Sequence, residues 1–180
     1  SVARGGLIAS GYVVARRQAT VAAEVTGRLI EVRIEEGQRV RRGEVLAVLE
    51  PTLARADYGA ANARAAAAEA DYAEAQRVLV RTRTLSEQGF ASEAAMTTAQ
   101  ARYDAALAQR NAARSEAQRA SAQLSRYEIR APFSGVVVAK AAQPGEIISP
   151  VSAGGGFTRT GVCTIVDMSR SRRRGAGVGL

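Results

Sequence analysis

The sequence predicts an α+β protein in which a long helical hairpin is inserted between two related β-rich segments. Residues 12–50 and 127–168 are rich in Val, Ile and Gly, whereas residues 53–126 are rich in Ala, Arg, Glu and Gln. Apolar positions in the Ala-rich segment recur at steps of three and four residues, which is typical of helices that pack along a seam. The two β-rich segments also repeat each other at an offset of 108 residues. Together these observations indicate the order β, α, β.

Two strands are predicted in the first β-rich segment. Residues 30–34 alternate apolar and charged side chains, which indicates a half-buried strand. The apolar run 45–49 forms a second strand, and Pro51 ends it. Gly37 and Gly43 each follow a charged residue and mark turns.

The Ala-rich segment predicts two long antiparallel helices of near 33 residues each, or about 50 Å. Gly89 separates the two arms, and Ser92 is a candidate cap for the second. Each arm has a heptad seam, which comprises Tyr58, Ala61, Ala65, Ala68, Tyr72, Ala75, Leu79 and Thr82 in the first and Met96, Ala99, Tyr103, Ala106, Arg110, Ala113, Ala117, Ala120 and Leu124 in the second. Small seam residues allow the two backbones to approach closely.

The repeat between the β-rich segments predicts two similar halves that bury one core together. Gly27 and Gly37 lie ten residues apart, and their counterparts Gly135 and Gly145 have the same spacing. We expect all four glycines to be structural turns. The strand positions also match in hydrophobicity, and the hairpin is then an insertion between the halves.

Composition excludes several catalytic chemistries. The chain has no His, which removes Ser–His and Cys–His catalysis and most catalytic zinc sites. Its single cysteine, Cys163, cannot form an internal disulfide and is expected to be a buried apolar residue in a strand. The single Lys, Lys140, follows Ala139 and therefore cannot belong to a P-loop. We expect a protein that is not an enzyme and that holds no metal or other cofactor.

The β-rich segments resemble a known fold family. Residues 12–50 and 126–150 are similar to the two half-motifs of a lipoyl/biotinyl-like barrel-sandwich hybrid. A coiled-coil hairpin between such halves resembles the periplasmic adaptor subunits, the HlyD-type membrane fusion proteins of tripartite efflux and secretion systems. The resemblance covers roughly residues 10–168. It implies an N-terminal segment (1–11), a first lipoyl-like half (12–50), the hairpin (51–126, tip near 86–93), a second lipoyl-like half (127–152) and the start of a β-barrel domain (153–168).

A second match lies at the predicted hairpin tip. Many members of this family carry Arg, three residues, Leu, six residues and Ser, and the spacing recurs here as Arg81, Leu85 and Ser92. The resemblance implies that these side chains contact an outer-membrane channel of the TolC type. A structural alternative stays open for each residue, in which Arg81 is a solvated helix residue, Leu85 a seam residue and Ser92 only a helix cap.

The resemblance implies a non-catalytic adaptor in the periplasm, associated with the inner membrane. Such a protein links an inner-membrane ABC or RND transporter to the outer-membrane channel, and it assembles as a homo-oligomer, a trimer or a hexamer. The transporter supplies the energy.

Two other functions are alternatives to this one. A lipoyl- or biotinyl-type carrier domain needs a Lys at the turn that joins the halves, but residues 51–125 contain none, and Lys140 is expected within a surface strand. A nucleic-acid-binding coiled coil is disfavoured because residues 53–127 intersperse ten Arg with eight acidic residues, which is typical of a solvated face. We therefore expect no nucleic-acid partner.

The two ends of the sequence carry separate expectations. The opening residues 1–11 lack the long apolar core of a signal peptide, so we expect any signal or anchor to lie upstream. Residues 169–180 hold four of the arginines that set the net charge of +8 and show no strand alternation. We interpret this tail as unstructured and as the product of a frameshift or truncation.

Overall fold

A computed structural model describes residues 17–151 and 158–167. The chain divides into two compact units, a helical unit at Glu50–Tyr127 and a β unit from the segments on either side of it. The β unit contains nine strands in its described residues, which are β1 (Gln18–Ala22), β2 (Gly27–Val32), β3 (Arg39–Val40), β4 (Val45–Leu49), β5 (Glu128–Arg130), β6 (Gly135–Lys140), β7 (Ile147–Ile148), β8 (Thr158–Arg159) and β9 (Gly161–Val166). The helical unit contains α1 (Thr52–Glu87) and α2 (Glu93–Ser125). The predicted α+β class with an inserted hairpin is confirmed.

The two halves of the β unit are interlocked. One sheet has the strand order β1-β9-β6-β3, and the other has the order β5-β4-β2-β7-β8. Each sheet therefore combines strands from before and after the helical unit, and neither half can complete a sheet alone. The chain leaves the β unit after β4 and returns in β5, and these strands are direct neighbours, with Val48 opposite Glu128.

The 108-residue repeat is visible in the strand pairing. The bounds of β2 and β3 map onto those of β6 and β7 at this offset. The order β1-β9-β6-β3 in one sheet corresponds to β5-β4-β2-β7 in the other. Equivalent turns form equivalent hydrogen bonds, since the amide of Gly37 donates to the carbonyl of Val137 at 2.7 Å and the amide of Gly145 donates to the carbonyl of Leu29 at 2.7 Å. The predicted two-half organisation is confirmed.

The four repeated glycines have two different roles. Gly37 and Gly145 adopt φ values of 84° and 95°, a turn conformation that favours glycine. Gly27 and Gly135 instead begin β2 and β6, so the expectation of turns there is corrected. At Gly135 an added Cβ would lie 2.9 Å from Cγ2 of Ile165, so the position requires a residue without a side chain.

Strand β9 completes the β unit. It pairs antiparallel with both β1 and β6. The sequence predicts that residues 153–168 begin a following β-barrel domain. For β9 this prediction is wrong, because the hydrogen bonds of β9 place it in a sheet of the barrel-sandwich unit. Cys163 lies in β9 with 1% of its surface exposed, as predicted. The predicted segments 1–11 and 169–180 lie outside the described residues.

The core of the β unit is aliphatic. Its fully buried large side chains are Leu29, Ile34, Leu46, Leu49, Val137, Ile148, Val162 and Ile165. Each such side chain contributes about 1.5–3 kcal/mol relative to an exposed one. The alternation predicted for residues 30–34 is only partly observed. Ile34 is buried and Val32 half-buried, but Ile30 is 42% exposed, and Leu29 is buried in its place at a shift in the register of β2 against β4.

The helical unit buries the seams that the sequence predicts. Helix α1 has 36 residues and α2 has 33, or about 54 and 50 Å. Buried residues of α1 recur along one stripe, which contains Ala54, Ala61, Ala68, Ala75 and Leu79. The predicted seam positions of α2 are buried or half-buried. Neither helix is apolar enough over a sufficient length to cross a membrane.

Candidate partner-binding site at the hairpin tip

The tip of the hairpin is a tightly hydrogen-bonded turn. Helix α1 ends at Glu87, Gln88 is its C-cap, and Gly89 follows with φ at 79°. The amide of Gly89 donates to the carbonyl of Ser86 at 3.0 Å, and the amide of Phe90 donates to the carbonyl of Leu85 at 2.8 Å. These two bonds form a Schellman motif, which satisfies the last carbonyls of the helix and needs glycine at its left-handed position.

Ser92 begins the second helix. Its Oγ accepts a hydrogen bond from the amide of Ala95 at 3.1 Å, and Glu93 places a negative charge in the first turn. Both features stabilise a helix N-terminus. Ser92 is therefore a helix cap, as the structural alternative predicts. Its side chain is exposed, and its hydroxyl hydrogen stays available to a partner.

Arg81 and Leu85 lie one turn apart on the same side of α1, close to the tip. In this part of the helix the half-buried seam positions are Thr82 and Ser86, whereas Leu85 is 39% exposed. The alternative interpretation of Leu85 as a seam residue is therefore wrong. Arg81 is exposed and forms no hydrogen bond or ion pair with any described residue.

The pairing of charges changes along α1 toward the tip. Arg77 binds Glu74 at 2.8 Å, and this hydrogen bond lowers the pKa of the Glu74 carboxyl, with a smaller contribution from the charge of Arg81. Arg81 itself lies one turn beyond this ion pair. The guanidinium nearest the tip on this side of α1 is thus free to bind an acceptor on another molecule, with a fork of donors suited to carbonyls and carboxylates.

Phe90 is a tip residue that the sequence analysis did not select. It is 79% exposed, although apolar residues at this position of a Schellman motif commonly pack back onto the helix. Its position in the sequence could have indicated it, because Phe90 directly follows the turn glycine and the other aromatic residues of the two helices lie on the seam.

Other candidate chemistry is not gathered into a site in the described part of the chain. No group of three or more metal-binding side chains occurs there. Lys140 lies in β6, as predicted, and its Nζ forms an ion pair with Glu35 at 3.0 Å. This position in a strand differs from the exposed turn that a carrier domain needs for its attachment lysine.

Comparison with known proteins identifies the fold. Residues 17–153 match the family of CzcB-like barrel-sandwich hybrid domains. The chain is 35% identical to the uncharacterized protein YdhJ of Escherichia coli over 67% of its length, and 30% identical to the multidrug resistance protein MdtA of Salmonella typhimurium over 81%. The structure of the membrane fusion protein Spr0693 from Streptococcus pneumoniae matches 84% of this chain and 63% of its own, at 20% identity and a TM-score of 0.55.

The matched region is only part of these relatives. The chain covers 42% of YdhJ and 35% of MdtA. It contains the region in which a hairpin interrupts two interlocked β halves, and the family match extends across both halves and the hairpin between them. The chain therefore belongs to the family of CzcB-like barrel-sandwich hybrid domains.

Proposed function

We propose that this chain is the barrel-sandwich and hairpin region of a non-catalytic periplasmic adaptor that links an inner-membrane transporter to a TolC-type outer-membrane channel. The observation that carries the proposal is the exposure of Arg81 and Leu85 at the closed end of a hairpin about 50 Å long. Ser92 adds an exposed hydroxyl at the same turn.

The construction of the hairpin supports a role in reaching a distant partner. Its seam is made largely of Ala, so the two helices are thin and their contacts are local. Its Schellman turn and serine cap hold the backbone of the tip in one conformation. An arginine fork, an apolar side chain and a hydroxyl on such a rigid support are suited to binding a protein surface, and they offer no nucleophile and base for a reaction.

The remaining parts of the proposal concern assembly. We infer that the adaptor works in the periplasm at the inner membrane, with an ABC or RND transporter that supplies the energy. Several copies, in a trimer or a hexamer, would present several tips to the channel at once. The name of MdtA associates one relative with multidrug resistance, which supports export as the process.

A binding titration tests the proposal. The purified chain is titrated against a TolC-type channel from the same organism, together with the double variant Arg81→Asp, Leu85→Ser. The matched control is the double variant Arg55→Asp, Leu53→Ser, which makes the same changes at exposed positions of the opposite end of α1. We expect saturable binding that the tip variant loses and the control variant keeps. Equal loss in both variants, or no binding by the unmodified chain, contradicts the proposal.

A further inference from the structure

Phe90 stands apart from the other aromatic residues that the structure describes. Tyr58, Tyr72 and Tyr103 are half-buried on the helical seam, and Tyr127 and Phe133 are half-buried as well. Phe90 is 79% exposed. Its ring therefore contributes little to the stability of the hairpin and is accessible to another molecule.

The backbone of Phe90 is fixed on both sides. Its amide binds the carbonyl of Leu85 at 2.8 Å, and the preceding residue is the glycine of the Schellman turn. Two residues later the chain enters the cap of α2 at Ser92. A phenylalanine on such a support has only two side-chain torsions to restrict on binding, so it can bury a large area at a small entropic cost.

Phe90 also lies beside the residues of the proposed channel-binding site. Its hydrogen bond joins it directly to Leu85, and Arg81 is one helical turn further along α1. The tip thus presents an aromatic ring, a half-exposed leucine and an unpaired guanidinium in one short stretch. Interfaces concentrate their binding energy in such a combination of an aromatic anchor, an arginine and surrounding apolar contacts.

We propose that Phe90 is the apolar anchor of the tip and that it inserts into an apolar cleft of the outer-membrane channel, where acceptor groups at the rim bind Arg81. This inference rests on the proposed function and adds to it a residue outside the Arg81, Leu85 and Ser92 pattern. It also specifies the chemistry of the partner surface, which is an apolar cleft with carbonyl or carboxylate oxygens at its edge.

The test compares Phe90→Ala and Phe90→Leu in the full chain, titrated against the channel. The control is Leu53→Ala, which truncates an apolar side chain of similar exposure, 74%, at the other end of α1. We expect Phe90→Ala to weaken binding by about tenfold or more, Phe90→Leu to restore most of the affinity, and Leu53→Ala to bind like the unmodified chain. Far-UV circular dichroism of each variant confirms that the helices are intact.

The possible failures are distinguishable. If Phe90→Ala binds normally while Arg81→Asp, Leu85→Ser does not, the anchor is refuted and the proposed function stands. If the unmodified chain does not bind, both fail. Analytical ultracentrifugation adds a third outcome, because a change in self-association by Phe90→Ala without a change in channel binding would assign the ring to a contact between copies and overturn the inference.

Discussion

The two glycines that begin equivalent strands offer a matched test of packing in the β unit. Gly27 and Gly135 lie 108 residues apart, at the first positions of β2 and β6. An added Cβ at Gly135 would lie 2.9 Å from Cγ2 of Ile165 and still closer to the carbonyl oxygen of Val166. At Gly27 the nearest atom is Cβ of Leu49, at 3.3 Å. We therefore expect Gly135→Ala to be much more destabilising than Gly27→Ala.

The size of the difference in stability depends on how easily the atoms that obstruct the new Cβ can move. Neither glycine has a positive φ, so alanine brings no backbone strain and contributes about 0.4–1 kcal/mol through the unfolded state. At Gly135 the obstruction is the backbone of β9, which cannot shift without disturbing the pairing of Val136 with Val166. Overpacking of this kind costs about 1–3 kcal/mol, and a rigid neighbour places it at the upper end. At Gly27 the side chain of Leu49 needs to move by only a few tenths of an ångström. We expect a difference of about 2 kcal/mol between the variants, or about 30-fold in the unfolding equilibrium.

Cys163 provides an assay specific to the β unit. It is the single cysteine of the chain, lies in β9 and is 1% exposed. A brief pulse of thiol reagent across a urea series therefore labels the chain only where this unit has opened. We expect Gly135→Ala to label at clearly lower urea than the unmodified chain, and Gly27→Ala to label close to it. If both variants had the same urea midpoint of labelling, this prediction would be wrong, because the backbone of β9 would then move aside as easily as the side chain of Leu49.

Three further predictions concern single side chains. Burial raises the pKa of the Cys163 thiol from 9.0 to about 11. This group should therefore leave the free energy of unfolding unchanged below pH 9 and lower it between pH 9 and 11, by at most about 2.7 kcal/mol. Calorimetry should show a smaller decline for Cys163→Ala, and equal declines would contradict the assignment. Ala68→Leu should overpack the helical seam and lower the free energy of unfolding by about 1–3 kcal/mol. Ala67→Leu, on the exposed face, should lower it by about 0.5 kcal/mol or less. Thermal unfolding followed at 222 nm measures both, and equal effects would show that the helices separate freely. Ser92→Ala should speed amide exchange at Ala95 about fivefold, since the cap is worth about 1 kcal/mol, and Ser92→Asp should restore protection; no recovery would argue against the cap.

The features that were predicted correctly are those that local periodicity determines. Steps of three and four residues place the seam of both helices on one face whatever lies around them, so buried positions such as Ala61 and Ala99 follow from the sequence. The repeat also specified the turns at Gly37 and Gly145, because a turn is formed by a few consecutive residues. Likewise, the cap at Ser92 depends only on the next three residues.

The features that were missed depend on distant neighbours. Gly135 is needed because β9 approaches it, and nothing near it in the sequence reveals that strand. The position of β9 in the barrel-sandwich sheet likewise depends on its pairing with β1, which lies far away in the sequence. The exposure of Phe90 depends on whether its ring turns toward α1 or toward solvent. A Schellman turn allows both orientations, so the local sequence does not predict the exposure.

One polar cluster explains how an Ala-rich seam can hold the tip in a single arrangement. Contacts between alanines are nearly alike, so a slip of one heptad would cost little in packing. Arg110 of α2 breaks this uniformity, because its guanidinium lies 4.2 Å above the ring of Tyr72 and 3.9 Å from Glu69. The hydroxyl of Tyr72 lies 3.2 Å from that of Tyr103, and this hydrogen bond raises the pKa of Tyr103.

This cluster favours one register more than it adds stability. Within the described residues the buried Nε of Arg110 has no hydrogen-bond partner, and an incompletely paired buried charge is costly. In a hairpin shifted by one heptad, Arg110 would lose its contact with Tyr72, and its guanidinium would lie half-buried against alanine. That arrangement would be less stable than the observed one. Polar residues in coiled-coil seams commonly select register in this way. The five-residue turn at 88–92 also closes only when the arms are aligned, so the turn and the contacts of Arg110 favour the same register, and that register determines where Leu85 and Phe90 are presented.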